Sequence, residues 1–210
     1  MRLTKYAPES IRRSGLYKQL SRKRRVWNLR KAASTAKPLK VILGAGPTHY
    51  PGWLQTDKEL LDVTSPGDWR AVFDPASIDS LLSEHMLEHL SEHDARVTLA
   101  ECYRYLKASG LFRLAVPDGY RRDPAYVKEA SPPNDGHQAL YNVDTLTALL
   151  ESVGFIPTPL EYFDAHEQFH AKPWDEKDGL IQRSVRFDAQ QNFRRGELLY
   201  TSLIIDARKG

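Results

Sequence analysis

Two groups of residues in this chain have types and spacings that could do chemistry. The first is Gly44-Ala45-Gly46, which closes the short apolar run Leu39-Lys40-Val41-Ile42-Leu43. A Gly-x-Gly turn directly after a buried strand lets a nucleotide-type cofactor approach the backbone, where a Cβ would block contact or forbid the turn. Asp57 ends the next candidate strand, Trp53-Leu54-Gln55-Thr56-Asp57, and its carboxylate could accept from both hydroxyls of a ribose. Taken alone, Gly-x-Gly is shared by many tight turns.

The second group is His85-Met86-Leu87-Glu88-His89, which fits the H-x-x-E-H pattern of inverted zinc proteases over all five positions. On a helix, histidines four apart share a face and could hold zinc while Glu88 activates water, and His93 extends the series. Against a zinc hydrolase, an apolar run of strand character ends directly before the motif at Ser83, and no third ligand stands out by pattern. We therefore assign no metal, and read Glu88 and His89 as anchoring the turn after the strand. His137, in Asn134-Asp135-Gly136-His137 behind a proline-rich loop, is either a second chemical candidate or a loop-capping histidine.

These residues need elements to position them. Apolar runs predict strands at 39–43, 53–57, 77–83 and 111–116, a further one at 60–63, and a last one at 198–207. Helical periodicity covers 8–33, with a linker over 33–37, then 94–106, with Gly110 expected as a C-terminal cap, and 143–152 before Gly154. Alternating strands and helices imply an α/β fold with a largely parallel sheet covered on both faces. One spacing is unusual. Asp57 follows Gly46 by only 11 residues, against about 20 in a full dinucleotide-binding unit, so either the first crossover helix is shortened to a loop, the reading taken here, or these two strands are not paired. The pocket is then more open on that side.

The order of these pieces resembles the class I, Rossmann-like S-adenosylmethionine-dependent methyltransferases, particularly small bacterial members. The resemblance rests on Leu43-Gly44-Ala45-Gly46, on Pro51 to Asp57, on Asp62-Val63, on Ser77 through Leu90, and on Glu101 through Asp118. It covers about residues 39–155, with a closing strand at Ser202 to Ala207. It implies a three-layer sandwich with a mostly parallel seven-stranded sheet and an antiparallel last strand. It also implies that Gly44, Ala45 and Gly46 line the methionine and ribose part of the cofactor, that Asp57 holds the ribose, and that Asp62 and Val63 lie by the adenine. Ser83, Glu84 and His85 would face the sulfonium and the acceptor, with His85 the first candidate for positioning an O or N nucleophile and His137 the second. Two departures stand out: Ile42 replaces the usual acid before the first glycine, and Thr48 stands where a third glycine is expected. A fold that kept its shape and lost its activity, leaving a binding module, is the remaining alternative.

The chain has 210 residues, 41% hydrophobic and 27% charged, enough for one sizeable domain. We divide it into a basic helical arm, 1–37, and a methyltransferase-like domain, 38–210, with an insertion at 156–197. No run reaches the ~18 apolar residues of a bilayer span, and the single Cys102 suits a reducing compartment such as the cytoplasm. Charge is unevenly spread: residues 1–40 carry thirteen Lys and Arg against one acid, Glu9, while the rest carries seventeen against twenty-six. Such an arm could meet nucleic acid or an anionic membrane, or could fold back as a solvated helix on the chain's own acidic surface. Residues 117–142 and 156–197 are the expected substrate-facing regions. Tyr120, Arg121, Arg122, Tyr126, Tyr141, His166, His170, Trp174, Arg183 and Arg186 there would suit a small-molecule or saccharide acceptor, including an anionic one. The sequence leaves the oligomeric state open.

Overall fold

The computed structural model describes residues 15–121, 123–192 and 201–210. The start of the basic arm, Arg122 and the first part of the expected last strand lie outside them.

Among the described residues, seven strands form one sheet in the order β2-β1-β3-β4-β7-β5-β6. They are β1 (Lys40–Leu43), β2 (Trp53–Thr56), β3 (Ile78–Glu84), β4 (Leu106–Val116), β5 (Phe155–Phe163), β6 (Phe169–Ala171) and β7 (Leu203–Lys209). Strands β1 to β4 run parallel. The last strand, β7, is wedged antiparallel between β4 and β5, and β6 is hairpinned antiparallel on β5. The mixed sheet is that of the expected α/β fold.

The helices are α1 (Gly15–Thr35), α2 (Pro66–Val72), α3 (Glu92–Tyr105), α4 (Pro124–Ala130), α5 (Val143–Val153) and α6 (Val185–Asn192). Local chemistry starts them where expected. Ser65 caps α2 ahead of Pro66, Ser91 caps α3, and Asn142 and Thr145 form a reciprocal capping box on α5. Gly154, left-handed at φ 105°, ends α5.

The period-2 alternation of the strands sorts their side chains into two cores. Val41, Leu43, Leu81, Phe112, Leu114 and Ile205 pack with Trp69, Leu99 and Leu150 under the helices. Ile42, Leu82, Ala115 and Ile204 face the other way, onto Ile181 and Trp174. This second face has no crossover helix between β1 and β2; residues 44–52 are turns, as the short spacing requires. A segment from Trp174 to α6 forms the third layer instead.

Arg113 fixes that layer. It is 1% exposed, forks onto both carboxylate oxygens of Asp206 on neighbouring β7 (2.7 and 2.9 Å), and donates to the carbonyls of Asp175 and Gly179 (2.7 Å each). Trp174 lies over its guanidinium at 4.8 Å. One buried side chain thus ties two strands to the covering segment.

Several expectations are corrected. Residues 60–63 are not a strand: the amides of Leu60 and Leu61 both donate to the Asp57 carbonyl, a helical turn that leads into α2. Gly110 caps no helix. Strand β4 begins directly after Tyr105, and Gly110 sits where the β3–β4 register shifts, beside Ser109 at φ 59°. An added Cβ there would meet the Lys107 carbonyl at 2.9 Å. The expected linker at 33–37 is helical to Thr35, and the segment beginning at 156 contains strand β5. The basic arm, where described, folds back on the chain: Arg22 pairs with Asp68, Arg25 with Glu59 and Arg30 with Asp74, while Leu29 and Ala33 are buried.

Two predictions follow from this packing. Asp206→Asn leaves the buried guanidinium without its counter-charge and should cost about 3–5 kcal/mol in denaturant unfolding; a loss under about 1 kcal/mol would show that Arg113 is not the anchor. Asp118, fully buried just after β4, accepts from the amides of Tyr120 and Phe163. Burial raises its carboxyl from 3.8 to about 6. The folded state therefore holds the proton more tightly than the unfolded chain, a stabilisation complete below pH 4 and lost as pH rises through 6. Between pH 4 and 7 the wild type should lose on the order of 3 kcal/mol relative to Asp118→Asn, and a difference flat across that window would contradict the assignment.

Candidate active site

The carboxyl ends of β1, β2 and β3 lie side by side, with Leu43 in register with Thr56 and with Ser83. The glycine turn, Asp57 and His85 leave from these ends.

Gly44 and Gly46 both take positive φ, 61° and 50°. At Gly44 a Cβ would sit 2.8 Å from the Met86 side chain, so only glycine lets the two strand ends meet. The Ala45 amide donates to the Thr56 carbonyl, and the Gly46 amide donates to Asp57 Oδ1 at 3.0 Å. Asp57 therefore braces the glycine turn with one oxygen while its side chain stays at the surface. Its remaining lone pairs can accept from vicinal hydroxyls. The positive-φ cradle and the braced acid fit a nucleoside-bearing cofactor, and the short crossover has not separated them.

Asp62 and Val63 are held more tightly than expected. Asp62 Oδ1 accepts from both the amide and the hydroxyl of Thr64, and the Val63 carbonyl accepts from the Trp69 indole. Ser83 is buried in the sheet. Glu84 is engaged elsewhere: its two oxygens accept from the amides of Gln182 and Arg183 at 3.1 and 2.7 Å. Gln182 also donates to the Tyr50 hydroxyl, so this segment spans from the glycine loop to the end of β3.

His85 leaves the strand at φ 53° and lines a cavity of about 620 Å³ with His89, Tyr126, Glu129, His137 and Arg183. Its Nε2 lies 2.7 Å from Ser202 Oγ, and its Nδ1 lies 3.1 Å from an Arg183 nitrogen and 3.2 Å from Glu88 Oε1. His137 is buried, its Nδ1 2.8 Å from the Ala130 carbonyl. A carbonyl only accepts, so Nδ1 carries the proton and the neutral ring's lone pair lies on Nε2. Burial pushes the Tyr126 phenol up to about 12, and Arg121 stacks on its ring at 4.4 Å.

The structure thus brings His85 and His137 to one cavity and Gly44 to Asp57 to one cradle. Met86, packed on Gly44, joins the two. Of the wider expected set, Tyr126 and Arg183 reach the cavity. Tyr120 is bound to Asp144, His170 to Asp164, Trp174 to Glu161 and Arg186 to Glu176. Ser202 was missed because a lone serine near the chain's end carries no pattern. The helix that an inverted zinc-protease motif needs is absent: β3 runs to Glu84, and Leu87–His89 is a single 3₁₀ turn.

Comparison with known proteins agrees with this geometry. Residues 55–114 match the family model described as a methyltransferase domain. No curated protein matches the sequence. Among solved structures, the CurJ carbon methyltransferase is 13% identical at a TM-score of 0.50, over 96% of this chain and 57% of that one. A methyltransferase from Archaeoglobus fulgidus is 15% identical at 0.49, over 96% and 97%. The 1,6-didemethyltoxoflavin-N1-methyltransferase of Burkholderia thailandensis is 17% identical at 0.45, over 97% and 91%. The sheet order and the glycine turn are those of a Rossmann-like α/β fold, and residues 55–114 within it are similar to a methyltransferase domain.

Proposed function

We propose that the protein moves a methyl group from S-adenosylmethionine to an oxygen or nitrogen of a small-molecule or saccharide acceptor bearing an anionic group. The observation that carries the reading is the adjacency at the end of β3: Met86 packs on the Gly44 cradle, and His85, the residue before it, lines the cavity. Donor and acceptor sides are one residue apart. When bound, the cofactor supplies an electrophilic methyl on a sulfonium, so the protein's task is chiefly alignment and removal of a proton.

Gly44 to Gly46 and Asp57 would hold the cofactor, the glycines by letting it approach the backbone and Asp57 by accepting from the ribose hydroxyls. On the other side, Arg183 donates to His85 Nδ1 while Ser202 engages Nε2. An acceptor's carboxylate or phosphate is a better partner for the guanidinium than an imidazole. It would draw Arg183 away and free Nδ1 to take the nucleophile's proton. Glu84 fixes the Arg183 backbone, so the arginine is presented from a set point.

The described residues contain no helix long and apolar enough to cross a membrane. With its one buried cysteine, the protein suits the cytoplasm. The three arginines of α1 that pair with acids at 59–74 favour a structural role for that part of the arm over one with nucleic acid or an anionic membrane.

Transfer of labelled methyl to matched acceptors with and without a carboxylate or phosphate tests the proposal. Anionic acceptors should be methylated preferentially, Arg183→Gln should raise KM for them alone, and His85→Ala should lower kcat about 10²-fold or more. Equal use of neutral acceptors, or full activity in His85→Ala, would overturn it.

A further inference from the structure

One buried carboxylate, next to the cavity-lining His85 and His89, accepts no hydrogen bond from the described residues. Glu88 is 0% exposed, and neither carboxylate oxygen makes a hydrogen bond. Its close neighbour, His85 Nδ1, does not serve as a donor. That nitrogen receives the Arg183 N–H, which requires a lone pair there, whereas donation to Glu88 would require a proton. A carboxylate buried without donors costs several kcal/mol unless a cation compensates it.

Two further ligand types face the same spot. One ligand atom from each of Glu88, His89 and His137 can be chosen so that all lie within 4.8 Å of one another. The rings of His89 and His137 meet edge to face, centroids 4.8 Å apart. Although the histidines are 48 positions apart in sequence, the backbone clamps them: the amides of Gln138 and Ala139 donate to the Glu88 carbonyl, and the Gln138 side chain donates to that of His89. His137 is already oriented as a ligand. Its Nδ1–H is spent on Ala130, a second-sphere hydrogen bond that leaves Nε2 to bind.

From this geometry we infer that Glu88, His89 and His137 form a binding site for one divalent transition-metal ion, zinc by the chemistry of the donors, at the floor of the cavity. Two imidazoles and one carboxylate suit Zn²⁺ and its first-row neighbours better than Mg²⁺ or Ca²⁺, which prefer all-oxygen sets. Bonds of ~2.0–2.2 Å to such an ion would require the three side chains to close in from their present spacing. Three protein ligands leave a position open toward the cavity, where an acceptor oxygen could bind and lose its proton more readily. That last role rests on the proposed methyl transfer; the metal site does not, and it is read by binding alone.

Chelator-stripped, full-length protein titrated with ZnCl₂, and with CoCl₂ followed by its visible absorption, tests the site. The expected result is one ion per chain and the spectrum of a low-coordinate nitrogen–oxygen site. Glu88→Gln, nearly isosteric, and His137→Asn, whose amide can keep the bond to Ala130, should each weaken binding at least ~10-fold, with folding checked by circular dichroism. His166→Ala, on the exposed β5–β6 turn, should bind as wild type does. Substoichiometric uptake by folded protein, or unchanged affinity in both site variants, would overturn the inference.

Discussion

The ion pair of Arg113 and Asp206 lies at the centre of the sheet, on the face that lacks the usual crossover helix. A guanidinium at 1% exposure must satisfy its donors inside the protein, and it does so with one carboxylate and two carbonyls of the 175–179 segment. That constraint brings the covering segment down onto the sheet and carries Ile181 into the second core. Glu84 then catches the next two amides, and Arg183 arrives over His85. The wall of the cavity beside His85 is thus a consequence of how the sheet is closed.

The donor side has a separate origin. With only nine residues between β1 and β2, the chain cannot build a helix there, and the glycine turn is stabilised by Thr56 and Asp57 on the neighbouring strand. Ile42, Leu82 and Ala115 are covered by Ile181 and Trp174 instead of by a helix between these strands.

How much of this the sequence reveals depends on the range of the interaction. Strand and helix positions are legible because alternation and 3.6-residue periodicity are local, and the Gly44 turn and Asp57 because they abut an apolar strand. The apolar pair Leu60-Leu61 misled because a helical turn and a short strand share that pattern. The partners of Glu84, the burial of Arg113 and the approach of His137 to His89 are set by contacts between residues 48 to 99 apart. No local period encodes them. The H-x-x-E-H pattern contains two members of a real cluster, Glu88 and His89, but His85 leaves a strand end rather than a helix, and the third member is His137, which sequence spacing could not pair with them.

On the proposed reading, the glycine turn and Asp57 together must bind the cofactor although the third glycine and the preceding acid are missing. Calorimetric titration with S-adenosylhomocysteine measures it directly, comparing the native chain with Asp57→Ala. One site per chain, weakened about tenfold or more on losing the carboxylate that bears on the ribose, is the outcome the account predicts. No heat of binding at millimolar ligand, or equal affinity in the two proteins, would contradict it.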